Sequence, residues 1–344
     1  MNLILAPFSF LYSQVMALRN LLYDRDVLPT FEVGIPIVSV GNLTLGGTGK
    51  TPLICELVAW ALENKLHPGV VSRGYRGQVR GVELVTPNGD PSYFGDEPVM
   101  IASRFANVPV YVGADRVAAV KKMIEHQKVD IIFADDAFQH RRLGRKADIV
   151  VVDCTEAISN YRVVPVGRAR ENVRGLDRAD FIILNKVNLA TPEQKKIVLE
   201  FLEEHSTVKG TPIIEAEYYV RNLVNLKSAK RIEPSGFESA LIVSGVGNPK
   251  GVEKLLVKNF DIKAHLTFRD HHDFSIGDIN RALSEARRLG VKKILVTEKD
   301  AVKIVEKIRN DQREELNIFW RTELSLKLSL KVKKLHEKIL ALTH

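Results

Sequence analysis

A glycine-rich stretch at residues 41–52, Gly-Asn-Leu-Thr-Leu-Gly-Gly-Thr-Gly-Lys-Thr-Pro, places the strongest constraint on the fold of this chain. An apolar, β-branched run precedes it at residues 35–40, and apolar residues at helical spacing follow it over residues 51–64. A strand, a glycine-rich loop and a helix in this order form the context that a phosphate-binding loop requires. The backbone N–H groups of such a loop, together with the positive end of the helix, bind an anion.

The residues of this loop are therefore predicted to bind the phosphates of a nucleotide. The ammonium group of Lys50 can reach the β- and γ-phosphates, and the hydroxyl of Thr51 can ligate Mg²⁺. The usual spacing, G-x-x-x-x-G-K-[ST], would place a glycine at position 44, where this chain has Thr44. A glycine-rich turn before an ordinary helix is the alternative interpretation. The predicted nucleotide contacts are Thr44, Leu45, Gly46, Gly47, Thr48, Gly49, Lys50 and Thr51.

Length and charge narrow the class of protein further. A chain of 344 residues predicts about two domains. Its formal net charge of +8 favours an anionic partner, such as nucleic acid, anionic lipid or a phosphorylated substrate, although a basic protein without such a partner has the same composition. The two cysteines, Cys55 and Cys154, lie far apart and lack metal-ligand spacing, which fits a reducing compartment.

The first 18 residues contain no charged side chain and many apolar ones. They lack the basic region that precedes the apolar core of a cleaved signal peptide. Pro7 and Ser9 are among the residues that interrupt a segment barely long enough to span a bilayer. We therefore predict an amphipathic, membrane-associating helix within residues 1–30, with Arg19 and Arg25 toward one end. A helix packed on the protein's own core is the alternative.

From residue 33 to residue 185, short apolar runs alternate with helical stretches, which is typical of a doubly wound parallel sheet. The run Ile-Val-Val-Val at 149–152 suits a strand that is buried on both faces. Strands are predicted at 35–40, 69–72, 108–112, 130–134, 148–153 and 180–184. Helices are predicted at 51–64, 97–105 and 114–127, and a further one near 191–205.

A second alternating unit follows an extended, polar segment at residues 213–230. We place a linker at 213–236, between a phosphate-loop domain at 31–212 and a smaller α/β domain at 237–344. Within the smaller domain, strands are predicted at 240–243, 263–268, 293–297 and 317–320, and helices at 249–258, 276–289 and 301–309. Leucines at helical spacing with lysines opposite predict an amphipathic surface helix at 324–342.

Polar residues follow two of the predicted strands, at the sheet edge where ligands bind in open α/β folds. Asp135 and Asp136 end one strand, and in a phosphate-loop fold such carboxylates hold Mg²⁺, directly or through water. An aspartate that merely ends a strand at a turn is the alternative. Arg73 and Tyr75 follow another strand, and His140 precedes two arginines, which suit bidentate recognition of phosphate.

Asp96 and Glu97 begin a predicted helix, where capping alone would explain them. The functional alternative is that one carboxylate accepts the proton of a hydroxyl group beside the γ-phosphate, while the other helps to hold Mg²⁺. His271 lies between carboxylates and favours acid–base pairing over zinc binding, with an ordinary surface loop as the alternative. The run Asn-Lys-Val-Asn at 185–188 lacks the final aspartate of a guanine-specific N-K-x-D motif, so we predict ATP and not GTP.

Seven motifs occur in order along nearly the whole chain: Ser39-Val40-Gly41-Asn42-Leu43-Thr44 through Lys50-Thr51-Pro52, Ser72-Arg73-Gly74-Tyr75, Gly95-Asp96-Glu97-Pro98, Asp135-Asp136-Ala137-Phe138-Gln139-His140-Arg141, Ser244-Gly245-Val246-Gly247-Asn248-Pro249, Asp270-His271-His272 and Thr297-Glu298-Lys299-Asp300. With these motifs the chain resembles the bacterial tetraacyldisaccharide 4′-kinases of lipid A biosynthesis. That family also has threonine or serine at the position of Thr44. Two residues depart from the family pattern, Ala137 in place of a glycine and Ala169 in place of a leucine.

The resemblance implies phosphoryl transfer from ATP to the 4′-hydroxyl of a tetraacylated glucosamine disaccharide 1-phosphate, with lipid IVA as the product. It implies two α/β/α sandwich domains, the first like a P-loop NTPase, joined by a two-stranded linker with the active site in the cleft. It also implies docking on the cytoplasmic face of the bacterial inner membrane, either peripherally or through a single N-terminal anchor. We expect no nucleic acid and no obligate protein partner.

The resemblance also implies roles for individual residues. Asp96 is the general base, His271 is its partner across the cleft, and Lys50 stabilises the transferring phosphoryl group. We hypothesise that closure of the cleft brings Asp96 and His271 together. The implied Mg²⁺ ligands are Thr51, Glu97 and Asp136. The implied contacts to the acceptor substrate are Arg73, Tyr75, Arg116 and His140.

Three other functions are open to a phosphate-loop protein with an apolar N-terminus. A membrane-positioning ATPase of the deviant type would have a lysine at position 45, where this chain has Leu45. A GTP-dependent switch is disfavoured by Asn188. A non-enzymatic membrane adaptor would leave Asp96 and His271 without a role.

Overall fold

The chain forms alternating helices and strands in this computed structural model, which describes residues 2–205, 210–309 and 311–343. The elements before residue 206 are α1 (Asn2–Asp24), β1 (Ile37–Gly41), α2 (Lys50–Glu63), β2 (Pro68–Ser72), β3 (Val82–Leu84), α3 (Pro91–Phe94), α4 (Asp96–Arg104), β4 (Val110–Gly113), α5 (Arg116–His126), β5 (Ile131–Asp135), β6 (Ala147–Asp153), β7 (Phe181–Asn185) and α6 (Pro192–His205). The later elements are β8 (Ile213–Asn225), β9 (Arg231–Ile232), β10 (Ser239–Ser244), α7 (Pro249–Leu256), β11 (Asp261–Thr267), α8 (Ile276–Leu289), β12 (Lys293–Thr297), α9 (Glu298–Arg309), β13 (Phe319–Leu328) and α10 (Val332–Thr343).

The strands form one continuous sheet in the order β11-β10-β12-β13-β8-β7-β6-β1-β5-β2-β4-β3, with β9 paired to β8. Most neighbours are parallel, and the long pair of β8 and β13 is antiparallel. The N-terminal part of β8 pairs in parallel with β7. Strand β8 therefore connects the two parallel parts of the sheet. The predicted α/β class, with an N-terminal helix and a mostly parallel sheet, is confirmed. The domain boundaries at 212/213 and 236/237 stay a prediction.

Strand β1 lies between β5 and β6 and is buried along its whole length. Its alternate side chains enter different cores: Ile37 packs with residues of α5, whereas Val38 packs with residues of α2. Each such buried side chain contributes about 1.5–3 kcal/mol to folding. Burial on both faces explains why the strand lacks polar alternation. It also places the loop after β1 beside the carboxyl end of β5.

The prediction of a single helix over residues 324–342 is wrong. Residues 319–328 form strand β13, and a shorter helix, α10, begins only at Val332. The leucines at 324, 326 and 328 alternate with Ser325 and Lys327, and such a period of two is typical of a strand. Residues 320–328 of β13 pair with β8. The strand predicted at 317–320 is the first part of this longer strand, and the helix predicted at 301–309 begins three residues earlier, at Glu298.

Candidate active site

The loop between β1 and α2 ends at Gly49, the N-cap residue of α2, which has a φ angle of +93°. A Cβ atom there would lie 1.9 Å from Oη of Tyr218 and 2.4 Å from Nδ2 of Asn185. Only glycine therefore fits, for both conformational and steric reasons. This close approach places the start of α2 against the end of β7 and the middle of β8.

Neighbouring residues hold the rest of the loop. The N–H group of Leu45 donates a 2.7 Å hydrogen bond to the carbonyl oxygen of Arg168, and the Thr44 hydroxyl donates to Glu156 at 2.9 Å. The side-chain amide of Asn185 donates to the carbonyl oxygen of Thr48 at 2.9 Å. Two groups of the predicted nucleotide site, the Leu45 amide and the Thr44 hydroxyl, are thus already hydrogen-bonded within the protein.

Lys50 belongs to a partly buried polar network at the start of α2. Its Nζ atom donates to Oδ1 of Asn42 at 3.0 Å and lies 3.4 Å from Oδ1 of Asp136. Arg170 forms two hydrogen bonds to the Asp136 carboxylate, at 2.7 and 2.8 Å, and another to Oδ1 of Asn42. Burial alone would raise the pKa of Asp136, but the Lys50 charge and the Arg170 hydrogen bonds hold it well below its ordinary value.

Asp135, the neighbour of Asp136, is in a different electrostatic environment. Its Oδ2 atom accepts a 3.0 Å hydrogen bond from the Ser72 hydroxyl, whereas its Oδ1 atom is buried and has no hydrogen-bond partner among the described residues. Burial, followed by the charge of Glu97, raises the pKa of Asp135 to about 7. The unpaired Oδ1 atom of Asp135, together with the nearby carboxylates of Glu97 and Asp136, suits a bound cation.

Asp96 and His271 are in contact, although they lie far apart in the chain. The Nδ1 atom of His271 is 2.8 Å from Oδ2 of Asp96. Lys303 approaches the same Asp96 oxygen at 2.8 Å, and Nζ of Lys299 lies 3.0 Å from Nε2 of His271. Burial would raise the pKa of Asp96, but the contacts with His271 and Lys303 together lower it. Asp96 is therefore ionised at neutral pH.

Two of these residues have backbone conformations that non-glycine residues seldom adopt. The φ angle is +60° at His271 and +49° at Asp136. Such conformations cost of order 1–3 kcal/mol and persist where the surrounding structure imposes them. Both residues are among those singled out from the sequence as candidates for chemistry.

The four predicted substrate contacts lie around this network. Tyr75 is exposed, and its ring centroid lies 6.1 Å from that of His271. Arg116 is buried, and its Nε atom has no hydrogen-bond partner in the part of the chain that the structure describes. Burial lowers the pKa of Arg116 despite the nearby charges of Asp135 and Asp136. Burial, followed by the charge of Arg116, lowers the pKa of His140 to about 4. Arg73 is exposed and adds its charge to the same surroundings.

Helix α1 is attached to loops that lead to the site. The Ser9 hydroxyl donates to the carbonyl oxygen of Val163 at 2.6 Å, and Arg19 donates to that of Gln139 at 2.9 Å. Asn20 donates at 2.8 Å to the buried Glu171, the residue after Arg170. The attached face of α1 is therefore polar.

The other face of α1 is apolar and exposed. Its large side chains recur at the spacing of a helical stripe and are 41–75% exposed. They are Ile4, Phe8, Leu11, Val15, Leu18 and Leu21. No helix within the described residues is both long and apolar enough to cross a membrane.

Several residues of the site were missed from the sequence. Asn42 and Arg170 stand in loops, and nothing in their spacing indicates that they share one carboxylate. Lys299 and Lys303 lie on a helix of the later part of the chain. Their spacing of four residues does predict that they share a helix face. Asp135 was noted as a carboxylate, but Asp136 was preferred as the Mg²⁺ ligand.

Comparisons with known proteins show what the chain as a whole is similar to. The family model described as tetraacyldisaccharide-1-P 4′-kinase matches residues 1–344. A tetraacyldisaccharide 4′-kinase of Bdellovibrio bacteriovorus is 36% identical over 345 residues, which cover 98% of both chains. One from Pelodictyon phaeoclathratiforme is 35% identical over 312 residues, which cover 87% of this chain and 86% of the relative. The crystal structure of LpxK from Aquifex aeolicus, in complex with ATP, has the same fold, with a TM-score of 0.75, 24% identity and 98% coverage of each chain.

Proposed function

The chain belongs to the tetraacyldisaccharide 4′-kinase family, and we propose that the side chains described above carry out the reaction of that family. ATP donates its γ-phosphate to the 4′-hydroxyl of a tetraacyldisaccharide 1-phosphate, and lipid IVA is formed for lipid A biosynthesis. The observation that carries this proposal is the Asp96–His271 contact at 2.8 Å. Asp96 adjoins Glu97, whose charge acts on Asp135 together with that of Lys50.

Asp96 is the general base of this proposal. Its contacts with His271 and Lys303 are both made by Oδ2, and no described protein group donates a hydrogen bond to Oδ1. The oxygen of the 4′-hydroxyl attacks the γ-phosphorus, its proton passes to Oδ1, and the bond to the bridging oxygen of ADP breaks. A sugar hydroxyl is a poor nucleophile at neutral pH, so a base within reach contributes about 10²–10⁴-fold to the rate.

Lys50 and Arg170 supply the positive charge near the transferring group. Both side chains contact Asn42 and Asp136, so their positions are fixed before a nucleotide binds. Positioning and charge stabilisation account for most of the catalysis in phosphoryl transfer, because the protein performs little covalent chemistry. Asp136 therefore acts mainly by holding these two cations.

The residues around Asp135 fit Mg²⁺. Asp135 has a buried oxygen without a hydrogen-bond partner among the described residues, and burial, followed by the charge of Glu97, raises its pKa. A divalent cation would relieve both. We therefore place Asp135, Glu97 and the hydroxyl of Thr51 around the ion, and we assign Asp136 to Arg170 and Lys50. Mg²⁺ uses one or two carboxylates together with the phosphates of its substrate, where it neutralises developing charge. This agrees with the finding that no group of three or more His, Cys, Asp or Glu side chains in the described part of the chain could hold a metal by itself.

In this proposal, the phosphate of the acceptor binds beside Arg73, Arg116 and His140. Tyr75 packs on the sugar. The unpaired Nε of Arg116 and Nε2 of His140 are buried polar atoms that a phosphate-bearing acceptor would satisfy. Because the pKa of His140 is about 4, its imidazole is neutral at pH 7 and donates or accepts a hydrogen bond without adding charge.

The exposed stripe of α1 positions the enzyme on a lipid surface. Its polar face is attached to the protein and its apolar face is free, as in interfacial helices. We place it on the cytoplasmic face of the inner membrane, where ATP and the acylated acceptor are both present. The division into 1–30, 31–212, 213–236 and 237–344 belongs to the same proposal, with β8 and β13 as the connection.

The decisive experiment is to incubate the purified protein with Mg-ATP and a defined acylated glucosamine disaccharide 1-phosphate, followed by mass spectrometry. We expect one added phosphate at the 4′-position and ATP turnover that depends on the acceptor. Asp96→Asn is the matched control because it keeps the shape of the side chain and removes its charge. Appreciable ATP turnover without acceptor, or no phosphorylated product with it, would contradict the proposal.

A further inference from the structure

Helix α9 directs two lysines, one helical turn apart, at the Asp96–His271 pair. We propose that Lys299 and Lys303 are positioning residues for this pair, an inference that depends on the proposed function of Asp96. Neither lysine has to contact substrate. Lys303 orients the carboxylate of Asp96, and Lys299 selects the tautomer of His271.

Lys303 determines which oxygen of Asp96 is available. Its Nζ atom lies 2.8 Å from Oδ2 of Asp96, and the side chains of both residues are more than 90% buried. The same oxygen accepts from His271. Because Oδ2 carries both the hydrogen bond from His271 and the ion pair with Lys303, the carboxylate cannot rotate without losing one of them in a low-dielectric setting. Oδ1 is therefore the oxygen that faces the acceptor hydroxyl.

Lys299 determines where the imidazole proton lies. An ammonium group has hydrogen-bond donors only, so at 3.0 Å the Nε2 atom of His271 must be the acceptor. The proton of the neutral ring then lies on Nδ1, from which it is donated to Asp96. Lys299 also lies 4.0 Å from Glu97 and 3.8 Å from Asp270, so carboxylates on both sides keep its ammonium in place.

The packing of α9 on α4 explains why the lysines reach this pair. Glu298 at the start of α9 is buried and lies 3.5 Å from Arg104 at the end of α4. Arg104 also donates to the carbonyl oxygen of Leu324, whose N–H group donates to Glu298. The two helices are therefore tied together at one end, and Asp96, at the opposite end of α4, faces the lysines of α9.

The first test measures steady-state kinetics of Lys299→Met and Lys303→Met. Lys307→Met is the control, because Lys307 lies on the same helix but contacts Asp273 and Phe274. We expect kcat to fall about 10- to 100-fold in the first two variants, as for other groups that orient a reacting residue, with the KM for ATP unchanged. Lys299→Arg keeps a donor and should recover part of kcat. Equal kcat values in Lys299→Met and Lys307→Met would overturn the proposal.

The second test observes the tautomer directly by ¹⁵N NMR of histidine-labelled protein without ATP or acceptor. His271 signals are identified by their loss in His271→Ala. We expect a proton on Nδ1 in the wild type and in Lys307→Met, and a mixture of both tautomers in Lys299→Met. An unchanged tautomer in Lys299→Met would overturn the proposal. If instead the wild type fails to phosphorylate the acceptor, the proposed function fails, and the NMR result still decides the role of Lys299.

Discussion

Oδ2 of Asp96 lies 2.8 Å from Nδ1 of His271, although the two residues are 175 positions apart in the chain. Asp96 begins α4, and His271 lies in the loop between β11 and α8. The pair therefore forms between elements on opposite sides of β8 and β13, which belong to one sheet. This relationship makes the activity depend on contacts between distant parts of the chain.

The first prediction concerns the coupling between these two residues. Asp96→Asn should lower kcat about 10²–10⁴-fold, because the base is lost. His271→Ala should lower kcat less in the wild-type background and almost nothing in the Asp96→Asn background, since it acts through the carboxylate. The measurement is a double-mutant cycle of kcat/KM with an acylated acceptor. Rate losses that simply multiply would show that the two residues act independently.

The second prediction separates the two neighbouring aspartates. Asp135→Asn should raise the Mg²⁺ concentration needed for half-maximal activity, because it weakens the carboxylate with the unpaired oxygen. Asp136→Asn should lower kcat without this change, because it frees Lys50 and Arg170. Activity measured against Mg²⁺ concentration at saturating ATP distinguishes them. The opposite result, with the larger change in Asp136→Asn, would restore Asp136 as the metal ligand.

The third prediction concerns two glycines of the phosphate loop. Gly49→Ala should lower the free energy of unfolding by about 2 kcal/mol or more, because the φ angle is +93° and the new Cβ would overlap Tyr218 and Asn185. Gly47→Ala is the control, since Gly47 is exposed and its Cβ would meet no atom within 4 Å. Its effect should stay within about 1 kcal/mol. Urea unfolding measures both, and equal losses would contradict the steric account.

The sequence was sufficient to predict the strand, loop and helix around Lys50, because hydrophobic periodicity and glycine placement are local signals. It also placed Asp96 beside His271, but only through resemblance to a family. Periodicity failed at residues 324–328, where leucines fit both a helix and a strand, and pairing with β8 decided the outcome. Local pattern gives no information about which distant partner an element will meet.

The contacts of Arg170 and the surroundings of Asp135 could not be predicted from the sequence for the same reason. Arg170 reaches Asp136 from a loop 34 residues away, and no spacing rule relates them. Asp135 and Asp136 are equivalent as sequence, and they differ only because Arg170 neutralises one while burial beside Glu97 affects the other. Electrostatic differences between adjacent residues therefore require the folded structure.

The fourth prediction is a pH dependence of stability that arises from His140. Its folded-state pKa of about 4 lies below the ordinary value of 6.5, mainly because of burial. Between these values the unfolded chain binds a proton that the native protein does not, so stability falls as the pH drops from 6.5 toward 4. His140→Gln lacks this titration, and its unfolding free energy should fall less over the same window. Urea unfolding measures this free energy from pH 7 to pH 4.5. Equal losses of unfolding free energy in the wild type and in His140→Gln would contradict the assignment.

The fifth prediction concerns the lipid-facing stripe of α1. Replacing Leu11 and Val15 with glutamate removes two exposed apolar side chains, 64% and 56% accessible, from the surface that we place in the membrane. Burial of each is worth about 1.5–3 kcal/mol, so the double variant should bind vesicles at least ~100-fold more weakly. Ala17→Glu introduces one glutamate, half of the added charge, at an exposed position outside the stripe and should change binding much less than half as much in free energy.

The measurement for α1 is co-flotation with vesicles that contain anionic phospholipid, at fixed salt concentration because the basic residues add a screened attraction. Nucleotide binding should be unchanged in both variants, since the stripe faces away from the loop residues that hold the helix at Val163 and Gln139. Retained flotation of the double variant would show that another surface contacts lipid. Equal losses in the double variant and in Ala17→Glu would instead indicate general charge repulsion, and the apolar stripe would then have no specific role.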